Sequence, residues 1–330
     1  MKIVYFHLVC WLFYGLISYS ALAMPCQSVS TPVEYTICNN DNLRWLNDVL
    51  YDIYQKVLVN KNTQEVYQQH LDWLKVRNSC TTDGCIERAY YQGIALLSDV
   101  DDKFDWAGNW WNLTATNGSG GNIQINEVSQ WTACMNSNIW AGINHGSYRA
   151  EIRKTAGLGI VNHIADTSDC QLLLIPLKNA SIEVYSNADW GCQLSMPKDV
   201  FIDGHYTHAD KDPRSEATLF SLGIFTEEYL DKLFKQLVSD YYSRFVKTAN
   251  VYVYSNDLDN MGAKVLSLWV RGMANKQAAI IMYTPGGKIW AACVEPDRLG
   301  ELKVNYWSNV STDKNKMPKT LTVWQQNFID

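Results

Sequence analysis

Apolar residues recur at helical spacing from position 41 to about 100, and then the period changes. Leu43, Leu46, Val49, Leu50, Ile53, Tyr54, Val57 and Leu58 share one stripe, which predicts a helix over 41–59 with Asp41 as its cap. Val66, Tyr67, His70, Leu71, Leu74 and Arg77 recur in the same way and predict a second helix over 63–79. A tight Cys80–Cys85 loop containing Gly84 then reverses the chain, and a third helix follows from Ile86 to Val100. His70 lies within the stripe and reads as a packed histidine rather than a ligand. From Phe104 to about Asp212, short apolar runs alternate with Gly, Asn and Ser turns. The runs are 121–128, 142–150, 158–163, 171–176, 181–185 and 200–206, spacing that predicts an antiparallel sandwich or small barrel. Beyond Phe220 a helix is expected from Thr226 to about Val246, burying Leu230, Leu233, Phe234, Leu237, Val238, Tyr241 and Phe245. Strands are expected at 250–254, 264–270, 277–283, 288–294, 302–307 and 321–325, with Thr284-Pro285-Gly286-Gly287 as a hairpin turn.

The first residues follow a different logic. Lys2, the apolar run 3–17, the polar stretch 18–20 and Ala21-Leu22-Ala23 have the order of a cleaved secretory signal. The run is short and its end is polar for a membrane span. Cys26 follows Met24-Pro25, not the small residues of a lipoprotein signal, so no lipid anchor is expected. Cleavage would remove Cys10 and leave eight cysteines, an even number that in an exported chain points to disulfides. Local spacing favours Cys26–Cys38 and Cys80–Cys85, and Cys170–Cys192 fits within the middle region. Cys134 and Cys293 either pair with each other or stay free. Closing a loop of about 6 to 13 residues contributes roughly 2–3 kcal/mol in the chain-entropy model, a large share for a small helical unit. The net charge of −6 becomes −7 once Lys2 is removed. That balance argues against nucleic acid as a partner and suits a basic protein.

Catalytic chemistry is hard to find. The sequence has no G-x-S-x-G elbow and no H-E-x-x-H pair. Asn117-Gly118-Ser119-Gly120-Gly121 lacks the Lys of a phosphate loop and reads as a mobile β-turn. His205 and His208, near Asp210 and Asp212, are the most metal-like group, but they enter a polar linker, and no metal or other cofactor is expected. Cys134 and Cys293 have no adjacent His to activate a thiolate. Trp106, Trp110, Trp111, Trp131 and Trp140 read as core, with a sugar-stacking platform as the sharper alternative. The sequons at Asn112, Asn117, Asn179 and Asn309 read as ordinary loop asparagines.

One stretch carries more information than the rest. Cys26…Thr31-Pro32-Val33-Glu34…Ile37-Cys38…Leu43…Leu46…Tyr54, then Leu71…Trp73-Leu74…Arg77…Cys80…Cys85…Ala89-Tyr90, resembles the N-terminal domain of LprI-type lysozyme inhibitors over about 26–100. The resemblance implies the same two N-terminal disulfides, a bacterial envelope setting and a lysozyme, of unspecified class, as partner. Residues 225–308 are faintly similar to the inhibitor of vertebrate lysozyme family, through the amphipathic helix, Val251–Ser255 and the run from Lys264 to Trp269. That family plugs the enzyme cleft with a disulfide-closed loop around a central His. Here the corresponding loop, Ser255 to Asn260, holds neither Cys nor His.

The expectation is therefore a multidomain α+β protein: a signal peptide (1–23), a disulfide-pinned helical bundle (24–101), a β sandwich or barrel (102–215) and an α+β meander domain (216–330). Its expected role is non-enzymatic inhibition of lysozyme-type glycosidases in the periplasm or outside the cell, without a stable membrane anchor once the signal is cleaved. The alternative is a non-catalytic protein-binding module that inhibits no lysozyme. Candidate contacts are Glu34 with the Thr31–Cys38 turn, Asp83 with the Cys80–Cys85 loop, and Asp257 and Asp259. Glu34 has a structural alternative, capping the helix that follows or pairing with Arg77.

Overall fold

The computed structural model describes residues 26, 29–60, 63–164, 169–187, 192 and 195–329. The expected signal segment, 1–23, lies outside the described residues. Among the described residues no helix is long and apolar enough to cross a membrane. The chain is a mixed α+β protein that divides into two compact units, one ending at Glu87 and the other beginning at Arg88. Among the described residues three disulfides form, Cys26–Cys38, Cys80–Cys85 and Cys170–Cys192, while Cys134 and Cys293 are free thiols.

The first unit is helical: α1 (Pro32–Asn39), α2 (Asp41–Asn60), α3 (Thr63–Asn78) and the first turn of α4 (Asp83–Ser98). The expected Thr31–Cys38 turn is in fact α1. Pro32 sits in the first turn, where its missing N–H costs nothing, and Thr31 is the N-cap. The cap of α2 is Asn40, whose Oδ1 accepts from the Leu43 N–H at 3.2 Å, and not Asp41, which is helical and pairs with Arg44. The α2 stripe buries Leu43, Leu46, Val49, Leu50, Ile53 and Tyr54. On α3 the buried line is Val66, His70, Trp73 and Arg77. The third helix begins at Asp83, so Gly84 and Cys85 belong to its first turn.

The described residues of the second unit form two sheets. Eight strands form a closed antiparallel barrel in sequence order, β1 pairing back to β8: β1 (Gly108–Asn112), β2 (Ser119–Asn126), β3 (Thr132–Ala141), β4 (Asn144–Thr155), β5 (Leu158–Val161), β6 (Leu172–Leu177), β7 (Ser181–Ser186) and β8 (Gly204–His208). Closure leaves no free edge. At eight strands the interior is just wide enough for side chains to fill it. Trp106, Trp110, Met135, Ile152, Leu172 and Tyr206 are among those that do. Two strands escape the sequence pattern. β1 is short and Trp/Asn-rich, and β3 turns Ala133, Ser137 and Ala141 inward, residues too small or polar to register as an apolar run.

The second sheet runs β13-β12-β11-β10-β9, an antiparallel meander of β9 (Val251–Ser255), β10 (Lys264–Trp269), β11 (Ala278–Tyr283), β12 (Ile289–Pro296) and β13 (Leu302–Ser308). One face packs on α5 (Glu228–Val238) and α6 (Tyr242–Thr248) through Leu230, Phe234, Phe245, Leu266 and Ile281. The other packs on α7 (Lys319–Gln325), where Leu321 and Trp324 meet Val265, Ile280 and Trp290. Cover on both faces explains why β11 is apolar at every position. The helix expected to run on to Val246 breaks at Ser239, whose φ of 47° ends α5. The strand expected at 321–325 is α7: Leu321 and Trp324 are one helical turn apart and buried together, which overrides the β-branched Thr322 and Val323.

Candidate functional site

The acidic residues expected to touch a partner fall into two groups. Glu34 is engaged within its own unit. Its Oε2 accepts from the Ser30 N–H (2.8 Å), the Ser30 hydroxyl (2.7 Å) and the Thr31 N–H (3.0 Å), while Thr31 Oγ1 accepts from the Glu34 N–H at 3.2 Å. This is a reciprocal capping box. Burial pushes the Glu34 carboxyl up, but the hydrogen bonds from Ser30 and Thr31 and the charge of Arg77 outweigh it and hold the group below its ordinary value. Arg77, 4% exposed, lies 4.0 Å from Glu34 Oε1 and donates twice to Asn78 Oδ1.

Asp257 and Asp259 are likewise engaged. Asp257 accepts from the N–H groups of Asp259 and Ala263, folding the 255–263 connection onto itself. Asp259 reaches across to α7 and accepts from the N–H of Lys319 (2.8 Å) and of Thr320 (2.8 Å), and from the Thr320 hydroxyl (2.6 Å). It caps a helix sixty residues away in sequence, a role that local pattern cannot reveal. Burial alone would raise its pKa, but these bonds and the Lys319 charge bring it below the ordinary range.

Asp83 is different. It is exposed, and its carboxylate accepts from the Asn40 side chain at 3.1 Å. The loop before it is short and held at both ends. The Cys80 N–H donates to Arg77 O at 3.1 Å, and the Cys85 N–H donates to both oxygens of Thr82, which thereby caps α4. The Cys80–Cys85 bridge closes the loop, and Ser79, Thr81, Thr82, Asp83 and Gly84 are all exposed.

The remaining chemistry-bearing side chains serve packing. His205 and His208 are three apart on β8 and so point to opposite faces of the strand. His205 Nδ1 lies 2.7 Å from Glu183 Oε1, and the His208 ring meets Trp110 edge-on. His70 lies between the rings of Tyr54 and Trp73. Burial, with the charge of Arg77, lowers its pKa to about 4. Burial pushes the Cys293 thiol up to about 11, and Glu127, which accepts from the Cys134 thiol, raises that group as well. Neither is poised as a thiolate. Two of the four sequon asparagines, Asn117 and Asn309, are brackets; Asn112 lies in β1, and Asn179 is an exposed turn residue that accepts from the Ser181 hydroxyl. Asn117 donates to Val246 O and Ala249 O, each at 2.9 Å, and Asn309 clamps the 284–289 hairpin through Ile289 N and Gly287 O.

Sequence reasoning missed a cleft on the second unit. It lies beside the turn between β1 and β2, the segment 212–222, and α5 and α6. Two lobes of about 420 and 580 Å³ share Asn117, Glu216, Ala217 and Thr218 as a common wall. Arg214 stiffens the first lobe: it grips Asp212 through Nε and Nη2 and donates from Nη1 to Ala115 O (3.3 Å) and Ser119 O (2.8 Å). Trp140 also lines this lobe. It pairs across the ladder with Gly120, where a Cβ would fall 2.1 Å from the indole ring, so only glycine lets the ring lie there. The expected mobile Gly-rich turn is thus half strand: β2 starts at Ser119. The five-tryptophan group likewise splits, with Trp106 and Trp110 inside the barrel, Trp140 at the cleft and Trp131 68% exposed. Comparison with known proteins found no matching family model, no matching curated protein and no matching solved structure.

Proposed function

We propose that the protein is an exported inhibitor of lysozyme-type peptidoglycan glycosidases, acting in the periplasm or outside the cell by occluding the enzyme's cleft. The observation that carries this reading is the Cys80–Cys85 loop, closed by its disulfide, tied at both ends and exposed from Thr81 to Gly84. Lysozyme works with two carboxylates in an open cleft, so a surface that fills the cleft stops it without any chemistry of its own. Such a surface needs shape and rigidity, and a pre-closed loop lowers the ordering cost of binding. The LprI-like motif supports the reading in a structural sense: Thr31, Pro32 and Glu34 build the capping box that starts the helical unit. The negative net charge favours encounter with a basic enzyme.

Because Glu34, Asp257 and Asp259 are held by internal hydrogen bonds, Asp83 is the acid this reading presents to the enzyme. The test is lysis of bacterial cells by lysozyme in the presence of oxidised protein 24–330 and its Asp83→Lys variant. Reversing one charge in a contact costs several kcal/mol. The variant is therefore expected to inhibit at least about tenfold more weakly, with a stability loss of only about 1 kcal/mol from the Asn40 contact and the first turn of α4. Equal inhibition by both proteins would remove the loop from the interface.

A further inference from the structure

The cleft on the second unit plays no part in the inhibitor reading, and its lining has the chemistry of a sugar site. We propose that it binds a neutral saccharide chain, with one pyranose ring stacked on Trp140. The indole is held against the backbone of Gly120 and remains only half-buried where it borders the cleft. A rigid aromatic surface presented this way suits a ring whose faces are C–H and whose edge is hydroxyl.

The charges argue for a neutral ligand. Arg214 is no free anion receptor, because Asp212 and two carbonyls take up four of its five N–H donors and Asp212 neutralises its charge. The other charged groups on the walls are Glu216, Lys235, Asp240 and Lys247, all exposed, two of each sign. Such a lining holds no net charge for a phosphate or a polycation to answer. It does offer hydroxyl-binding groups, of which Asn117 is anchored. Asn117 spends both amide N–H groups on Val246 O and Ala249 O, which orients its Oδ1 as an acceptor, and Ser215, Glu216 and Ser243 stand along the walls.

The size leaves room for more than a single ring. Each lobe falls in the range of about 300–1,000 Å³ that ligand clefts occupy, and the two share a wall. A peptide is disfavoured because the strand residues on the walls, Ser119 of β2 and Trp140 of β3, belong to a closed barrel and offer no free ladder to a backbone.

The experiment is isothermal titration of oxidised protein 24–330, without any lysozyme. The probes are four-ring oligomers of N-acetylglucosamine and of glucose, with inorganic phosphate and a neutral tetrapeptide alongside. Saturable binding of an oligosaccharide is expected, weakened about tenfold or more by Trp140→Ala, the loss of one central aromatic anchor. Glu216→Gln, an exposed change that leaves packing alone, should weaken it severalfold and decides the matter if Trp140→Ala fails to fold. Three results would each overturn the proposal: no saturable sugar binding at millimolar concentrations, binding of phosphate or peptide in place of sugar, or sugar binding indifferent to these substitutions. Since lysozyme is absent, failure here leaves the inhibitor reading standing, and failure of that reading leaves the cleft unaffected.

Discussion

Replacing Glu34 by alanine separates a structural acid from a contact residue. The change removes three hydrogen bonds to one carboxylate oxygen and the carboxylate nearest to the buried Arg77. Loss of a helix cap costs about 0.5–2 kcal/mol. Two of the three bonds come from exposed Ser30 and are replaced by water at little cost. Arg77 keeps Asn78 as acceptor, so the loss there is partial. The total for Glu34→Ala comes to about 2 kcal/mol, confined to the N-terminal helix, with Glu34→Gln in between because it keeps an acceptor. Hydrogen exchange read by mass spectrometry over residues 30–39 measures this directly. Protection should fall by about 30-fold, the equivalent of 2 kcal/mol. The pH dependence has a definite sign. The Glu34 carboxyl is held below its ordinary 4.5, so its contribution is fully present above that value and is lost as pH falls through the lower folded value. The gap between wild type and variant should close on acidification. Unchanged protection together with lost lysozyme inhibition would refute the capping argument and return Glu34 to the interface.

Asp259→Ala removes three hydrogen bonds from the start of α7 and should cost about 1–2 kcal/mol in urea denaturation, with lysozyme inhibition intact. His70, with a folded pKa lowered from 6.5 to about 4, favours the folded state above pH 6.5, and that contribution, about 3 kcal/mol in full, is lost as pH falls toward 4. His70→Phe should flatten the stability–pH curve in that window, and NMR titration of the wild-type ring should give a midpoint near 4. Alkylation of the native 24–330 protein at pH 8 should label Cys134 slowly and spare Cys293, which is fully buried; rapid labelling of Cys293 would contradict its place in the core.

Local signals in the sequence led to local structure. The α2 stripe, the Thr284–Gly287 hairpin and the short disulfide loops are visible because each depends on residues close together in the chain. What escaped depends on distant partners. Asp259 resembles a loop acid until α7 folds back to meet it. Gly120 looks like a flexible turn residue until Trp140 lies across it. β3 hides because its inward positions intersperse Ala133, Ser137 and Ala141 with Met135 and Ile139, and α7 hides because Thr322 and Val323 suggest a strand when its two buried anchors are not considered together. The cleft is assembled from the 115–119 turn, one end of β3, the 212–222 segment and two helices, so no single motif marks it.

The central claim is tested most directly by titrating oxidised protein 24–330 into c-type, g-type and i-type lysozymes acting on bacterial cells, with turbidity as the readout. Saturable inhibition of one class at near-stoichiometric ratio is the predicted result. Undiminished lysis by every class at about tenfold excess of the protein, where an inhibitor of nanomolar affinity would be saturating, would contradict it.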